Sequence, residues 1–166
     1  TLELWPDESR RPFLAGPDPH SFHVPEEDLL DWISGFLNYS KHRGVPIHMV
    51  THHEYVEVET STFLSPSILD RTSLVGQAVR DAVRSVDKDV LIVGGEIGPH
   101  NGGSPPCDTS FLRWSVFGNS FWYADALASK ALSGYALFCR QDYIGADYGL
   151  VDWYVLGSRN PLSLSL

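Results

Sequence analysis

Apolar residues recur at two different periods along the chain, and segments of the two kinds alternate. Helical spacing runs through three segments, at residues 25–44, 67–86 and about 108–132. Short apolar or β-branched runs lie around and between them, at residues 12–15, 46–51, 90–93 and 135–141. Helical spacing indicates amphipathic helices, and short unbroken apolar runs indicate strands buried on both faces. The pattern therefore predicts four strands joined by three helices.

The first two predicted helices each have one apolar face. On the first helix, this face consists of Leu29, Leu30, Ile33, Phe36 and Leu37. On the second helix, it consists of Leu74, Val75, Ala78, Val79, Ala82, Val83 and Val86. Acidic residues at 26–28 favour the beginning of the first helix. Gly44 is suited to ending it, because glycine adopts the left-handed conformation of a helix C-cap without strain.

Strands that alternate with helices predict a parallel α/β fold, in which the carboxyl ends of all strands lie at one edge. Polar side chains gather at these predicted ends: Asp18, His53 to Tyr55, Glu96, and Arg140-Gln141. In a (β/α)8 barrel the chemistry lies at this edge, and a complete barrel needs about 250 residues. We therefore expect half a barrel, with residues 1–158 as a partial barrel domain and 159–166 as a truncated tail.

Composition narrows the range of functions. The 166 residues carry 12 Lys and Arg against 21 Asp and Glu, a net charge of −9. This charge disfavours a nucleic-acid partner, because phosphate-tracking proteins need clustered basic residues. No apolar run approaches the ~20 residues of a transmembrane helix, and no N-terminal signal pattern is visible. The two cysteines, Cys107 and Cys139, have no CxxC spacing, so we expect neither a zinc knuckle nor a disulfide framework.

The predicted strand ends form four motifs. They are Ala15-Gly16-Pro17-Asp18, Val50–Tyr55, Gly95-Glu96 followed by Gly102-Gly103, and Cys139–Leu150. In this order and spacing, over residues 12 to 152, they resemble the heparanase-like enzymes of glycoside hydrolase family 79. The last motif is most similar to plant and protist members. The resemblance implies a retaining β-glucuronidase with a (β/α)8 TIM barrel, of which this chain holds strands 5 to 8.

The resemblance also gives roles to residues. It implies that Glu96 is the catalytic nucleophile, the carboxylate with which a retaining glycosidase attacks the anomeric carbon. From spacing alone, a solvated loop glutamate is the simpler interpretation. On an extended segment His53 and Tyr55 share one face, while His52 and Glu54 share the other. The family has its tyrosine in the site, which selects His53 and Tyr55, and the Tyr55 hydroxyl is expected to orient the nucleophile.

Further residues are implied to bind the substrate. In the family, a glycine pair after the nucleophile and a tyrosine after the last strand hold the uronic acid carboxylate; here they are Gly102-Gly103 and Tyr148. Backbone N–H groups and a phenol O–H together suit an anion. Without the resemblance, the same residues are a flexible turn and a loop aromatic. Gln141 and Asp18 are expected as sugar contacts, whereas Arg140 is expected to face the outer helices.

Two alternatives stay open. A metal-dependent hydrolase would need a site assembled from His52, His53, Glu54, Glu96 and His100. Neighbouring strand residues point in opposite directions, so we expect no metal, and no cofactor is implied. The other alternative is a non-catalytic carbohydrate-binding or scaffolding relative that keeps the fold. An upstream Asn-Glu-Pro-type motif, where the family carries its acid/base glutamate, would argue against it.

The resemblance gives expectations for the whole protein as well. The acid/base glutamate of the family precedes this segment, so the remainder of the barrel is required and residues 1–166 alone are expected to be inactive. The resemblance implies a glycan with glucuronic acid as the substrate, and the acidic charge predicts that it carries little sulfate, unlike heparan sulfate. We expect a secretory-route protein that is extracellular, lysosomal, vacuolar or membrane-associated. Asn38-Tyr39-Ser40 matches the N-glycosylation pattern.

Overall fold

The computed structural model describes residues 4–20, 26–56, 62, 64–99 and 118–141. The strands in these ranges are β1 (Ala15–His20), β2 (Met49–Tyr55), β3 (Leu91–Gly98) and β4 (Leu137–Arg140). The α-helices are α1 (Glu26–His42), α2 (Pro66–Val86) and α3 (Gly118–Leu132), and a 3-10 turn at Glu8–Arg10 precedes β1.

The four strands form one parallel sheet in the order β1-β2-β3-β4. One helix lies in the chain between each pair of neighbouring strands, so α1, α2 and α3 connect them in turn. This is the predicted parallel α/β architecture, which is confirmed. Because every strand runs in the same direction, all four carboxyl ends lie at one edge of the sheet.

Two apolar clusters hold the helices against one face of the sheet. The first joins α1 and α2 to β2 and β3, through Leu29, Ile33, Leu37, Val50, Val75, Val79, Val83 and Ile92. The second joins α3 to the carboxyl halves of β2 and β3, through Val56, Ile97, Trp122 and Ala126. Burying each large aliphatic or aromatic side chain favours folding by about 1.5–3 kcal/mol before conformational entropy is subtracted. Most residues of the apolar faces predicted for α1 and α2 pack in the first cluster.

Two predicted strand ends are wrong. The sequence predicts a first strand at 12–15 followed by a Gly16-Pro17-Asp18 loop, but β1 begins at Ala15 and continues through Gly16-Pro17-Asp18, and Pro17 pairs with Thr51. The sequence also predicts that the third strand ends at Gly94-Gly95-Glu96, but β3 continues to Gly98. In both places pairing with a neighbouring strand outweighs the local preference of Gly and Pro for turns.

The face of α2 also differs from the prediction. Leu74 is predicted to be buried but is 63% exposed, and the packed stripe includes Thr72 and Gly76 instead. Small residues suit this stripe because the end of α3 comes very close. A Cβ atom added to Gly76 would lie 2.8 Å from Ser133 Oγ. The predicted beginning of α3, near residue 108, lies outside the described residues.

Two glycines near α1 are expected to respond oppositely to substitution. Gly44 has φ +66° and ends the helix as predicted, with the Val45 N–H donating to the Ser40 carbonyl across it. Gly35 lies mid-helix, and an added Cβ would meet nothing within 4 Å. We expect Gly35→Ala to raise the free energy of unfolding of the whole protein by about 0.5–1 kcal/mol, because alanine loses less backbone entropy. Gly44→Ala is expected to lower it by about 1–2 kcal/mol. Denaturant unfolding measures both, and shifts of the same sign would contradict this interpretation.

Three surface features complete the description. No helix in the described ranges has the length and apolar content needed to cross a membrane. Cys139 on β4 is an exposed free thiol, and Cys107 lies outside the described residues. Asn38 is exposed on α1, whereas Ser40 of the same glycosylation pattern is buried.

Candidate active site

Four polar side chains from three neighbouring strands meet at the carboxyl edge of the sheet. They are Asp18 on β1, His53 and Tyr55 on β2, and Glu96 on β3. His53 Nε2 lies 2.9 Å from Asp18 Oδ2 and 3.8 Å from Glu96 Oε2. The Tyr55 hydroxyl donates a hydrogen bond to Glu96 Oε1. Ionised carboxylates only accept hydrogen bonds, so the arrangement requires the imidazole proton of His53 on Nε2.

Glu96 faces this site because β3 contains a bulge. The register of β3 against β2 skips Gly95, so that Gly95 and Glu96 together oppose one residue of the partner strand. Strict alternation from Ile92, which packs in the helix-side core, would direct Glu96 towards the helices. The extra residue reverses the alternation, as β-bulges next to active sites do. Glu96 therefore faces the site, and Ile97 packs on the helix side.

Close approach explains why glycine occupies two positions here. A Cβ atom on Gly95 would lie 2.5 Å from Asp18 Oδ1, and one on Gly98 would lie 2.7 Å from Tyr55 Cε1. Asp18 itself has φ +63°, in the left-handed region that aspartate tolerates better than most residues. The glycines make room for the Asp18 carboxylate and the Tyr55 ring.

His20 is a member of the site that the sequence analysis missed. Its ring centroid lies 5.7 Å from that of His53 and 5.5 Å from that of Tyr55. No local signal could have found it, because the register of β1 against β2 shifts between Pro17 and His20. The side chains of Glu96 and Asp18 are 31% and 46% exposed, so this group is open to a ligand.

The opposite face of β2 carries a second polar cluster, which is buried. Lys130 Nζ donates to Glu54 Oε2 at 2.5 Å, and His52 Nε2 lies 2.7 Å from the Tyr135 hydroxyl. Burial and, secondarily, the positive charge of Lys130 lower the pKa of His52 to about 3, so its imidazole is neutral at pH 7. Burial and then the Glu54 carboxylate raise the pKa of Tyr135 well above its usual value.

The residues considered for a metal site are therefore divided between two faces. His53 and Glu96 lie at the site, whereas His52 and Glu54 point towards the helices. The part of the chain that the structure describes contains no group of three or more His, Cys, Asp or Glu side chains suited to a metal ion. His100 lies outside that part.

Neutral His52 is expected to make stability depend on pH. The ordinary pKa of a histidine is 6.5, and that of His52 in the folded protein is about 3, so between these pH values the unfolded state binds a proton that the folded state does not. Stability should therefore fall as pH drops from 6.5 towards 3, by up to about 1.4 kcal/mol per pH unit from this group. We expect His52→Gln to flatten the profile. Urea unfolding of the whole protein from pH 4 to 7 measures this, and identical profiles for wild type and His52→Gln would contradict it.

The remaining predicted site residues are placed as follows. Gln141 directly follows β4, and its N–H donates to the Ile97 carbonyl at 3.0 Å, so it lies at the same edge of the sheet as the site. The Arg140 guanidinium lies over the aromatic rings of α3, 5.1 Å from the centroid of Tyr123, and faces the helices as expected. Gly102-Gly103 and Tyr148 lie outside the described residues.

Comparison with known proteins gives two sequence relatives. The chain is 28% identical over 130 residues to heparanase-like protein 3 from Arabidopsis thaliana. It is equally similar, 28% over 130 residues, to baicalin-beta-D-glucuronidase from Scutellaria baicalensis. Each match covers 74% of this chain and 23% of the relative, so the chain spans about a quarter of the length of these proteins. No family model matches the chain.

Comparison with solved structures gives the fold. A monomeric beta-xylosidase from Caulobacter crescentus CB15 matches 84% of the chain with a TM-score of 0.60 at 16% identity, over 30% of its own length. A GH39 beta-xylosidase from Caulobacter crescentus matches 82% with a TM-score of 0.52 at 14% identity, over 25% of its own length. At these identities the likeness shows the fold alone. With the four-stranded parallel sheet, it confirms a partial (β/α)8 barrel.

Proposed function

We propose, from the resemblance to the heparanase-like enzymes of glycoside hydrolase family 79 that the two sequence relatives confirm, that the whole protein is a retaining β-glucuronidase. The observation that carries the proposal is the setting of Glu96. Its carboxylate accepts a hydrogen bond from Tyr55, lies 3.8 Å from His53 Nε2 and remains open to solvent. A nucleophile of a retaining glycosidase needs this combination of fixed orientation and access.

The two oxygens of Glu96 have different roles in the proposed reaction. Tyr55 holds Oε1, which leaves Oε2 to attack the anomeric carbon. The bond to the leaving oxygen breaks, that oxygen takes a proton from a general acid, and a glycosyl-enzyme ester forms on Glu96. Water, deprotonated by the same group, then attacks the anomeric carbon and releases the sugar with its configuration retained. His53 donates its Nε2–H to Asp18, and this bond holds the imidazole beside the nucleophile, with Nε2 3.8 Å from Glu96 Oε2.

We assign the general acid/base to the whole protein outside residues 1–166. Retention requires a second carboxyl about 5–5.5 Å from the nucleophile. Of the other carboxylates at the described strand ends, Asp18 is bound to His53 and Glu54 is buried against Lys130. Both are already engaged, and Glu54 lies on the wrong face of β2.

For the substrate we propose a β-linked glucuronic acid with little sulfation. One relative is named as a glucuronidase, and the net charge of −9 is unfavourable for a heavily sulfated polyanion. Gly102-Gly103 and Tyr148 are the residues that we propose to bind the uronate carboxylate. A secretory-route location, with or without membrane association, is part of the same proposal.

The direct test is an assay of the whole protein with 4-nitrophenyl β-glucuronide and 4-nitrophenyl β-xyloside. We expect kcat/KM for the glucuronide to exceed that for the xyloside by at least about tenfold, since a site built for a carboxylate rejects a sugar without one. NMR should show the β-anomer as first product. Faster xyloside hydrolysis would overturn the proposed uronate specificity, and faster cleavage of heparan sulfate than of the unsulfated glucuronide would overturn the proposed low sulfation. Binding of glucuronides without hydrolysis would favour the non-catalytic relative.

Residues 1–166 expressed alone are expected to give no measurable glucuronide turnover. They lack the proposed acid/base, and within the described sheet β1 and β4 each have one unpaired edge. Unpaired strand edges and uncovered apolar faces favour association, so light scattering after gel filtration should show dimers or aggregates rather than a stable monomer. Turnover within about tenfold of the whole protein, a loss far smaller than removal of a general acid/base causes, would place that group inside the chain.

A further inference from the structure

The two faces of β2 are mechanically linked. Along this strand the side chains alternate, so Tyr55 at the site directly follows Glu54 on the helix side. The Tyr55 hydroxyl must stay on Glu96 Oε1 for the nucleophile to remain oriented. Any group that fixes Glu54 therefore also fixes the backbone from which Tyr55 extends.

Lys130 is the group that fixes Glu54. Its side chain is fully buried, and its Nζ lies 2.5 Å from Glu54 Oε2 and 3.1 Å from the Thr72 carbonyl, which accepts from it. The same Nζ lies 5.1 Å from the ring centroid of Tyr135, a cation–π distance. One ammonium group thus connects β2, α2, α3 and the segment that leads into β4.

His52 strengthens the same connection. It is fully buried, and the contact of its Nε2 with the Tyr135 hydroxyl is 2.7 Å. Its Nδ1 lies 3.4 Å from the His53 carbonyl, which only accepts hydrogen bonds. In neutral His52 the proton is therefore on Nδ1, and Nε2 accepts from Tyr135. Two successive helix-side residues of β2 are held by directional bonds.

Stability alone does not call for such a network. The helix side of β2 is apolar before and after it, at Val50 and Val56. Burying an ion pair costs desolvation, and well-packed apolar residues of similar volume often replace one without loss of stability. Unlike apolar packing, a buried hydrogen-bonded pair is directional, so it holds its two side chains in one geometry.

We propose that Lys130 and Glu54 are positioning residues that hold the Tyr55 hydroxyl on Glu96 by fixing the carboxyl half of β2 against α3. The proposal rests on the proposed glycosidase function for its kinetic consequence, but its structural part does not. Lys130 and Glu54 thereby differ from ordinary core residues, because their substitution should lower kcat only through the position of Tyr55.

The test uses the whole protein and the volume-matched double variant Glu54→Leu/Lys130→Met, which removes both charges and leaves none unpaired. We expect the variant to unfold within a few degrees of wild type. Its kcat for the glucuronide should fall roughly 10- to 100-fold with KM unchanged, as small misplacements of catalytic groups do. A stable double variant whose kcat stays within twofold of wild type would overturn the proposal. If the double variant does not fold, Glu54→Gln and Lys130→Met are compared in its place. The first keeps an oxygen that accepts from Lys130 and should keep kcat within about threefold of wild type, whereas the second removes the donor and should lower kcat roughly 10-fold. Equal kcat values in these two variants would overturn the proposal.

A double-mutant cycle with Tyr55→Phe distinguishes an effect on kcat that acts through Tyr55 from a general disturbance of the structure. If Lys130 and Glu54 act through Tyr55, adding Glu54→Leu/Lys130→Met to Tyr55→Phe should lower kcat no further. A further loss as large as that seen in the wild-type background would overturn the proposal, because it would show an effect independent of Tyr55.

Hydrogen exchange supplies a readout that needs no activity. In the double variant, the amides of residues 53–55 should exchange at least about tenfold faster, while those of residues 49–51 and of α1 stay as in wild type. Unchanged exchange at residues 53–55 would overturn the proposal. If the wild type hydrolyses no glycoside, the proposed function fails, and the exchange result alone decides on the network.

Discussion

Replacing Glu96 by glutamine is expected to lower kcat/KM of the whole protein for 4-nitrophenyl β-glucuronide by at least about 10⁴-fold. The substitution removes the charge that attacks the anomeric carbon and keeps the shape of the side chain. Glutamine still offers an oxygen to the Tyr55 hydroxyl, so binding of the glucuronide should change only a few-fold. Calorimetric titration of the variant with a glucuronide, together with steady-state kinetics, measures the two effects separately.

Covalent labelling identifies the nucleophile directly. An activated 2-deoxy-2-fluoroglucuronide should label Glu96 in the wild type, as peptide mass spectrometry would show, and label nothing in Glu96→Gln. Glu27→Gln is the matched control, since Glu27 is an exposed carboxylate in the first turn of α1, and its activity and labelling should equal those of wild type. A label on another carboxylate, with activity retained in Glu96→Gln, would show that the nucleophile has been misassigned.

Gly95→Ala is expected to reduce kcat/KM by roughly 100-fold, the scale of loss for a catalytic group displaced by about 1 Å. The added methyl would lie 2.5 Å from Asp18 Oδ1 and 3.4 Å from Thr51 Cβ, so β1 or the bulge must move. Either movement changes the position of His53 or Glu96. Kinetics and thermal unfolding of the whole protein measure the loss of activity and of stability.

Two further variants make this prediction specific. Gly35→Ala adds the same methyl in open space on α1 and should leave activity unchanged. Asp18→Ala added to Gly95→Ala removes the atom that the new methyl meets, and should recover part of the stability lost by the single variant. Full activity of Gly95→Ala, or a double variant less stable than the single one, would contradict the close approach as the cause.

The helices, and the grouping of His53 with Tyr55 on one face of β2, could be predicted because each depends on a local pattern, whereas the resemblance selected the face that lies at the site. Leu29, Ile33 and Leu37 repeat at helical spacing and bury one side of α1, which fixed its limits to within a few residues. Simple alternation placed His53 and Tyr55 together, and the structure has them so. Where pairing with a neighbouring strand does not alter the helical or strand period, the sequence shows which residues share one face.

The facing of Glu96 could not be predicted in the same way. Plain alternation of side chains from Ile92 onward places the Glu96 carboxylate on the helix side, and only the bulge at Gly95 brings it to the site. A bulge depends on how two strands align with each other, which lies beyond the reach of a local pattern. The partner of Glu54 was equally hidden, because Lys130 lies 76 residues away and lysine is rarely fully buried.

The skipped residue in β3 also bears on how such a site is gained or lost over evolutionary time. Inserting one codon directly before that of Gly94, with the bulge kept, would exchange the places of Glu96 and Ile97, turning the carboxylate into the core and an aliphatic side chain towards solvent. No acidic residue would have been mutated, and an alignment would still show a glutamate at the end of the strand. Among homologues with this strand, the length of the segment between the apolar run and the glutamate is therefore as informative as the glutamate itself.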